Sequence, residues 1–378
     1  MDAIRSVNKL QVFCHNQLVG TLSRTPDNKR CTFEYANSWL ANGFSISPLE
    51  LPLRAGLFIA DPTPFYGNFG IFEDSLPDGY GRFLLNRLLR KHGIDEMSLT
   101  PLQRLAIVGS AGMGALRYEP KLLEYEQHIL PELHTLQQLA LDVLSEKTTE
   151  GADTLYFNSG NSGGCRPKCL YRDGEGQWLV KFRHTYDPHD IGLEEYRYNQ
   201  LAKACGIEIT ECKLLNNTYF ASKRFDLLPD GEPLHVATAA ALLRENIHPP
   251  KTDYKVLLAL TGFLTQSTTA VEQMFRRMVF NVLIENKDDH AKNFSFIHLD
   301  DGWHLAPAYD LTCCAQGYNG EHATSIMGRG LPRREDVLAA AESIRIPRTR
   351  AQKIIEELEQ ITDKEIRWQL PTINSLSN

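Results

Sequence analysis

The sequence predicts an α+β chain in two lobes, a β-rich N-lobe followed by a helical C-lobe, with an additional N-terminal β-rich subdomain in front of both. Three observations carry this. Alternating apolar runs crowd the first 60 residues and return between Lys168 and Arg224. After Asp226 the apolar residues fall mostly at helical spacing. Between the two β-rich regions lies a polar stretch with one helical pattern. The expected divisions are 1–120 for the leading subdomain, 121–154 for a connector, 155–226 for the N-lobe and 227–378 for the C-lobe.

The elements follow in order. Leu10–Cys14 and Leu18–Leu22 alternate on either side of the turn-like His15-Asn16-Gln17, and Cys31–Tyr35 repeats the pattern. Pro77-Asp78-Gly79 is turn chemistry, and Arg82–Arg90 then takes up helical spacing. Gly109-Ser110-Ala111-Gly112-Met113-Gly114 reads as a structural turn, because a strand pattern closed by Pro120 follows it where a phosphate loop would need a helix. Leu133, Leu136, Ala140, Val143 and Leu144 mark a helix over about 132–145. Strand patterns at 168–171, 177–182, 209–215 and 218–224 enclose a helix at about 191–205 that Gly206 closes. Phe275–Glu285 has the composition of a buried helix, and Phe294–Leu299 that of a strand.

Composition sets limits. The chain has 378 residues, 42% hydrophobic and 23% charged, with a formal charge of -7. That balance argues against broad direct nucleic-acid binding, which depends on neutralising phosphates. No run reaches the roughly 18 apolar residues of a membrane span, and the first residues lack a signal-peptide core. The eight cysteines form no CxxC pair, so reduced thiols and a cytoplasmic location are expected.

The chemistry concentrates in Asn286-Lys287-Asp288-Asp289-His290-Ala291-Lys292-Asn293, followed by Leu305-Ala306-Pro307-Ala308-Tyr309-Asp310. An Asp, an Asn five residues later and a further Asp beyond strand-like residues is the spacing with which protein kinases act on ATP. Asp288 is then the base that aligns a hydroxyl and takes its proton, with Asp289 as a second candidate. Asn293 and Asp310 are the expected magnesium ligands. Protein kinases have a lysine two positions past the base; here that position is His290, and the lysine is Lys292.

The preceding lobe supplies candidates for holding ATP. Ser159-Gly160-Asn161-Ser162-Gly163-Gly164 would cover the phosphates with backbone N–H groups, with Arg166 and Lys168 adding charge. Lys181 is the expected α/β-phosphate lysine. Glu195 is its expected ion-pair partner on the helix at 191–205, with Glu194 competing. The backbone of Lys223, Arg224 and Phe225 would read adenine, and Asp226 the ribose hydroxyls.

These motifs resemble the HipA family of bacterial kinase toxins. Gly163–Lys168, Trp178–Phe182, Glu195-Tyr196, Leu201–Ile207, Lys223–Asp226, Asp288–Ser295 and Leu305–Asp310 are similar to its kinase part. Leu76-Pro77-Asp78-Gly79-Tyr80-Gly81 and Gly112–Leu116 resemble its N-terminal subdomain. The resemblance implies a protein-kinase-like fold and ATP- and Mg2+-dependent phosphorylation of serine. It implies protein targets of the aminoacyl-tRNA synthetase class and a separately encoded helix-turn-helix antitoxin through which the kinase reaches DNA.

The chain departs from the family at two points. The serine that the family autophosphorylates aligns with Asn161, flanked by Ser159 and Ser162; self-phosphorylation uses one of these serines or is absent. The hinge begins with Lys223 where the family often has Glu. Two other readings compete: a small-molecule kinase, whose Asp…Asn…Asp arrangement is shared, and a nucleotide-binding pseudokinase acting as co-repressor.

Overall fold

The computed structural model describes residues 7–123, 131–148, 150–159 and 163–369, with side chains as far as Asp363. The chain forms two compact units. One comprises the residues up to Leu193 with Cys212–Asn246 and Phe296–Asp300; the other comprises Glu194–Glu211, Ile247–Ser295 and the residues from Asp301 on.

The first unit opens with an antiparallel sheet. β1 (Lys9–Cys14) turns at His15 and Asn16 into β2 (Gln17–Arg24), and β3 (Cys31–Tyr35), β4 (Leu57–Ile59) and β5 (Leu116–Glu119) complete the order β4-β3-β2-β1-β5. His15 takes the left-handed φ of 48° that the tight turn needs. Alternation buries Leu10, Val12 and Cys14 on one face of β1, opposite the inward residues of β2. Gly20 sits where a Cβ would lie 2.3 Å from Glu34 O, so Phe33 can pack over the strand.

Helix Gly79–Lys91 buries Tyr80, Leu84, Leu85, Leu88 and Leu89, one stripe at helical spacing. Helix Pro101–Val108 starts with a capping box between Thr100 and Gln103. Helices Leu133–Leu144 and Ala152–Ser159 pack onto the same core. A second sheet, β6 (Lys168–Asp173), β7 (Gly176–Lys181), β8 (Cys212–Leu215) and β9 (Tyr219–Lys223) in the order β6-β7-β9-β8, closes that core with Trp178, Val180 and Phe182. Each large side chain buried there contributes about 2 kcal/mol. The stretch between the two β-rich regions is therefore part of the core of this unit. Helix Ala152–Ser159 had no clear sequence signal, because its apolar residues are few and a Gly/Ser run follows.

β10 (His235–Thr238) neighbours β11 (Ser295–Leu299), whose residues from Phe296 belong to this unit. Asp74 accepts from the Thr238 amide at 2.7 Å and its hydroxyl at 2.8 Å, tying β10 to the first half of the unit.

The second unit is mainly helical. It takes helix Ile191–Ala204 from Glu194 on, then Tyr254–Thr265, Thr268–Leu283, Arg334–Ser343 and Arg348–Gln369, with β12 at Gly302–Leu305. Asp253 and Ser267 cap the two middle helices by accepting from Lys255 N and Ala270 N. The cap at Ser267 starts the helix seven residues ahead of the apolar run at Phe275, so it is longer than the sequence pattern indicates. That helix buries Met274, Phe275 and Met278 together with two arginines. Arg276 donates to Cys205 O at 3.1 Å and pairs with Glu357; Arg277 donates to Ala306 O at 2.7 Å.

Candidate active site

In the second unit, helix Thr268–Leu283 delivers the chain to a loop fixed by buried hydrogen bonds. Asn286 donates to Asn281 Oδ1 at 3.0 Å and to Asp310 O at 3.2 Å, so one amide ties the loop to the helix and to the Asp310 segment. The next residues divide sharply. Asp288 is exposed. Asp289 is 1% exposed and its carboxylate is surrounded: Tyr254 Oη donates at 2.9 Å, His322 Nδ1 lies at 2.9 Å and Thr324 N donates at 3.2 Å. Asp289 O also accepts from Thr324 Oγ1. A carboxylate so engaged cannot reach an incoming hydroxyl, which removes Asp289 as the second candidate base.

Ala291–Asn293 form a single 3-10 turn, closed by Asn293 N donating to His290 O at 2.8 Å. Asn293 Nδ2 donates to Asp288 O at 2.8 Å, which fixes its amide plane beside the loop. Tyr309 Oη donates to Lys292 O at 2.7 Å, anchoring the turn to the segment before Asp310. Ala308 N donates to Glu208 O at 2.8 Å, which pins that segment from its other side. Asp310 itself holds a left-handed φ of 53°, a conformation that Asp tolerates better than most residues and that the surrounding bonds must enforce.

The buried atoms Asn286 Oδ1, His290 Nδ1 and Thr312 Oγ1 have no hydrogen-bond partner among the described residues, and all lie on the Asp288 or Asp310 segments. Asn293 and Asp310 offer the hard oxygen donors that magnesium takes, one carboxylate with the remainder left to phosphate and water. Among the described residues no group of three or more His, Cys, Asp and Glu could hold a metal unaided. The residues present fit a magnesium ion shared with a nucleotide.

Within the same unit, Glu195 is buried and Glu194 half-buried on helix Ile191–Ala204.

In the first unit, Gly163 and Gly164 precede β6. Gly164 has φ of 93° and donates its N–H to Asp78 Oδ1 at 2.8 Å. Lys168 is 4% exposed and its ammonium donates to Gly163 O. Lys168 and Lys181 stand directly opposite in the β6–β7 register, and Lys181 also lies 5.7 Å from the Phe220 ring. Two cations facing each other across a ladder repel, and an anion bound near them would relieve that. Arg166 is held in a two-pronged bond with Asp187, at 2.9 and 3.1 Å, so its expected phosphate contact gives way to bracing the strand entry.

The hinge departs from expectation. Lys223 ends β9 opposite Trp178, and Arg224 N donates to Gln177 O at 2.9 Å, so the Arg224 amide is not offered to adenine. Asp226 is 1% exposed, with both carboxylate oxygens taken by Arg224 at 2.9 and 2.6 Å and Gly114 N at 3.4 Å. A buried, doubly engaged carboxylate does not present itself to a ribose; Asp226 instead ties the hinge to the Gly112-Met113-Gly114 turn. Ser159 is likewise not in a loop: it is the last residue of helix Ala152–Ser159, 1% exposed, with Oγ donating to Tyr156 O at 3.2 Å. Ser162 lies outside the described residues.

Tyr254, Asn281, His322 and Asp78 had no role in the sequence reading. Only Asp78 carried a local signal, the Pro-Asp-Gly turn.

The polypeptide is thus an α+β chain whose motifs stand in the order of a kinase-like protein. Residues 160–366 match the HipA-like C-terminal domain and residues 10–119 the HipA N-terminal domain. The chain belongs to the HipA family. It is 29% identical over 171 residues to the protein Y4dM of Sinorhizobium fredii, a match covering 40% of this chain and 41% of that one. It is 21% identical over 342 residues to the serine/threonine-protein kinase toxin HipA of Shewanella oneidensis, covering 80% and 74% of the two. The solved complex of Shewanella oneidensis HipA, HipB and operator DNA contains a chain with the same fold: TM-score 0.71 at 19% identity, over 97% of this chain and 92% of that one. Among the described residues no helix is long and apolar enough to cross a membrane.

Proposed function

We propose that this chain is an ATP- and magnesium-dependent protein serine/threonine kinase, the toxin of a toxin–antitoxin pair. The observation that carries the reading is the split between neighbouring carboxylates, Asp288 exposed and Asp289 buried and saturated. A general base must stand within hydrogen-bond reach of the proton it takes, and Asp288 meets that need.

Asp288 orients the serine hydroxyl and accepts its proton as the oxygen bonds to the γ-phosphorus; the bond to the β–γ bridging oxygen breaks and ADP leaves. Magnesium, when bound, draws off charge developing on the phosphates. Asn293 and Asp310 would hold it, the first fixed by Asp288 O and the second by the bonds around Tyr309. Lys292 and His290 stand beside the base. Lys181 and Lys168 neutralise phosphate charge, and the Gly163 backbone lies against the phosphates. The Lys223 and Phe225 backbone holds adenine. Catalysis of this kind is positioning and electrostatics.

The substrate is a protein serine, and the family resemblance points to an aminoacyl-tRNA synthetase. A small DNA-binding antitoxin as partner is supported by the Shewanella oneidensis HipA complex with HipB and operator DNA. Self-phosphorylation falls to Ser162, since Ser159 would have to leave its helix. The test is phosphopeptide mapping of the protein and of a bacterial lysate after incubation with ATP and magnesium, wild type beside Asp288→Ala. Phosphoserine produced by wild type only is expected. Equal incorporation by the variant overturns the role of Asp288, and no incorporation by wild type overturns the kinase reading.

A further inference from the structure

The turn Pro77-Asp78-Gly79 meets the glycine-rich loop through three contacts. Gly164 N donates to Asp78 Oδ1 at 2.8 Å. Tyr80 N donates back to Gly164 O at 3.0 Å. Gly79, at φ of 45°, packs so tightly that a Cβ there would lie 2.4 Å from Gly164 O. Both backbone groups of Gly164 are therefore held by the leading subdomain, the N–H by Asp78 and the C=O by Tyr80.

The sequence cost of this arrangement is visible locally. Asp78 occupies the N-cap position of helix Gly79–Lys91, where an Asp side chain ordinarily accepts from the helix's own first amides. It makes no such bond. The carboxylate is spent on Gly164 instead. The first helical turn in exchange directs Tyr80 N at the Gly164 carbonyl. On the far side of the loop, Lys168 donates to Gly163 O, so Gly163 and Gly164 are gripped from both ends by a short chain Asp78–Gly164, Gly163–Lys168.

We propose that Asp78 is a positioning residue for nucleotide binding: it fixes the Gly163-Gly164 peptide in its phosphate-facing position before ATP arrives. Preorganisation of this kind raises affinity by removing the ordering cost from the binding step. The inference makes the leading subdomain a working part of the ATP site. It rests on the kinase reading for its consequence, but the clamp itself does not.

The experiment compares wild type, Asp78→Ala, Asp78→Asn and Gly79→Ala by hydrogen exchange over Gly163–Lys168, by ATP affinity in calorimetry with magnesium, and by thermal melting. Asp78→Ala removes the acceptor; exchange at the Gly164 amide should quicken and ATP affinity fall about tenfold, the worth of one lost hydrogen bond to a charged group. Asp78→Asn keeps an acceptor oxygen at the same reach and should stay within about threefold of wild type. Gly79→Ala pushes the loop away sterically and should mimic Asp78→Ala without touching the carboxylate. A purely structural Asp78 would lower the melting temperature and leave ATP affinity of the folded protein unchanged, which overturns the proposal. Unchanged exchange in Asp78→Ala also overturns it, as does an Asp78→Asn variant as weak as Asp78→Ala. If wild type binds no ATP, the kinase reading fails while the exchange data still decide the clamp.

Discussion

His322 Nδ1 lies 2.9 Å from Asp289 Oδ2, and both side chains are buried. The pair belongs to a chain of bonds running Asn286, Asn281, Tyr254, Asp289, His322, which joins two helices, the Asp288 loop and the segment beyond Asp310. The neighbouring residue, Asp288, takes part in the surface. Two adjacent acids in one loop thus do different work: one builds the loop and the other is offered by it.

That division predicts opposite phenotypes. Asp289→Ala strands Tyr254 Oη, His322 and Thr324 N in the interior and should cost about 3 kcal/mol of stability, a melting temperature lower by roughly 8 °C. Asp288→Ala should leave stability within about 0.5 kcal/mol while lowering phosphate transfer by about 10²–10⁴. Melting curves and initial rates on the two purified variants check this, and a reversal of the two patterns would exchange their roles.

Asp226 gives a second separation. As a ribose ligand its loss would raise KM for ATP and spare the fold. As the buried partner of Arg224, its replacement by Ala leaves a half-buried guanidinium without its counter-charge and should cost about 2 kcal/mol. Urea denaturation of Asp226→Ala is the measurement; an unchanged midpoint with a raised KM would restore the ribose role.

Much of this was readable locally, and the limit is physical. β1, β2 and β3 declare themselves because a half-buried strand writes its burial into every second residue. The Asp288–Asn293 run is readable because the candidate groups fall within a few residues of one another, at the spacing protein kinases use. His322 stands 33 residues from Asp289 and Asp78 stands 86 from Gly164, and no spacing rule connects such partners. The setting of Asp226 is hidden for the same reason: its partner Arg224 is local, but the Gly114 amide that also reaches it is 112 residues away. Motifs disclose the candidate groups; packing discloses which of them are buried and which exposed.

His235 predicts a pH dependence. Its ring is buried with Nε2 2.9 Å from Ile46 O, and burial, with His298 and His15 adding repulsion, pushes its pKa down to about 4. The ordinary value near 6.5 applies when the chain unfolds. Between these values the unfolded state holds the extra proton, so stability is full above about 6.5 and falls as pH drops toward 4, by about 3 kcal/mol at most. The groups that face it include His15 from the β1–β2 turn, His298 on β11 and the Phe44 ring. Denaturation of wild type and His235→Gln from pH 7 to 4.5 should show a shallower acid loss in the variant; parallel curves would exclude His235 as the titrating group.

Lys181 faces Lys168 across β6 and β7, and the pairing sets a sign that an ordinary strand lysine would not have. Like charges in direct register destabilise a ladder, so the repulsion offsets part of what Lys181 gains from its own contacts. Lys181→Met removes the repulsion and keeps an unbranched stem in the strand. The expected result is a nucleotide-free protein within about 0.5 kcal/mol of wild type, since the two effects oppose, together with a loss of ATP affinity and of the stabilisation that ATP and magnesium confer on wild type. A thermal-shift titration with ATP reads both quantities on one sample. A variant that melts well below wild type without nucleotide, yet gains as much from ATP, would make Lys181 a structural residue and leave phosphate neutralisation to Lys168.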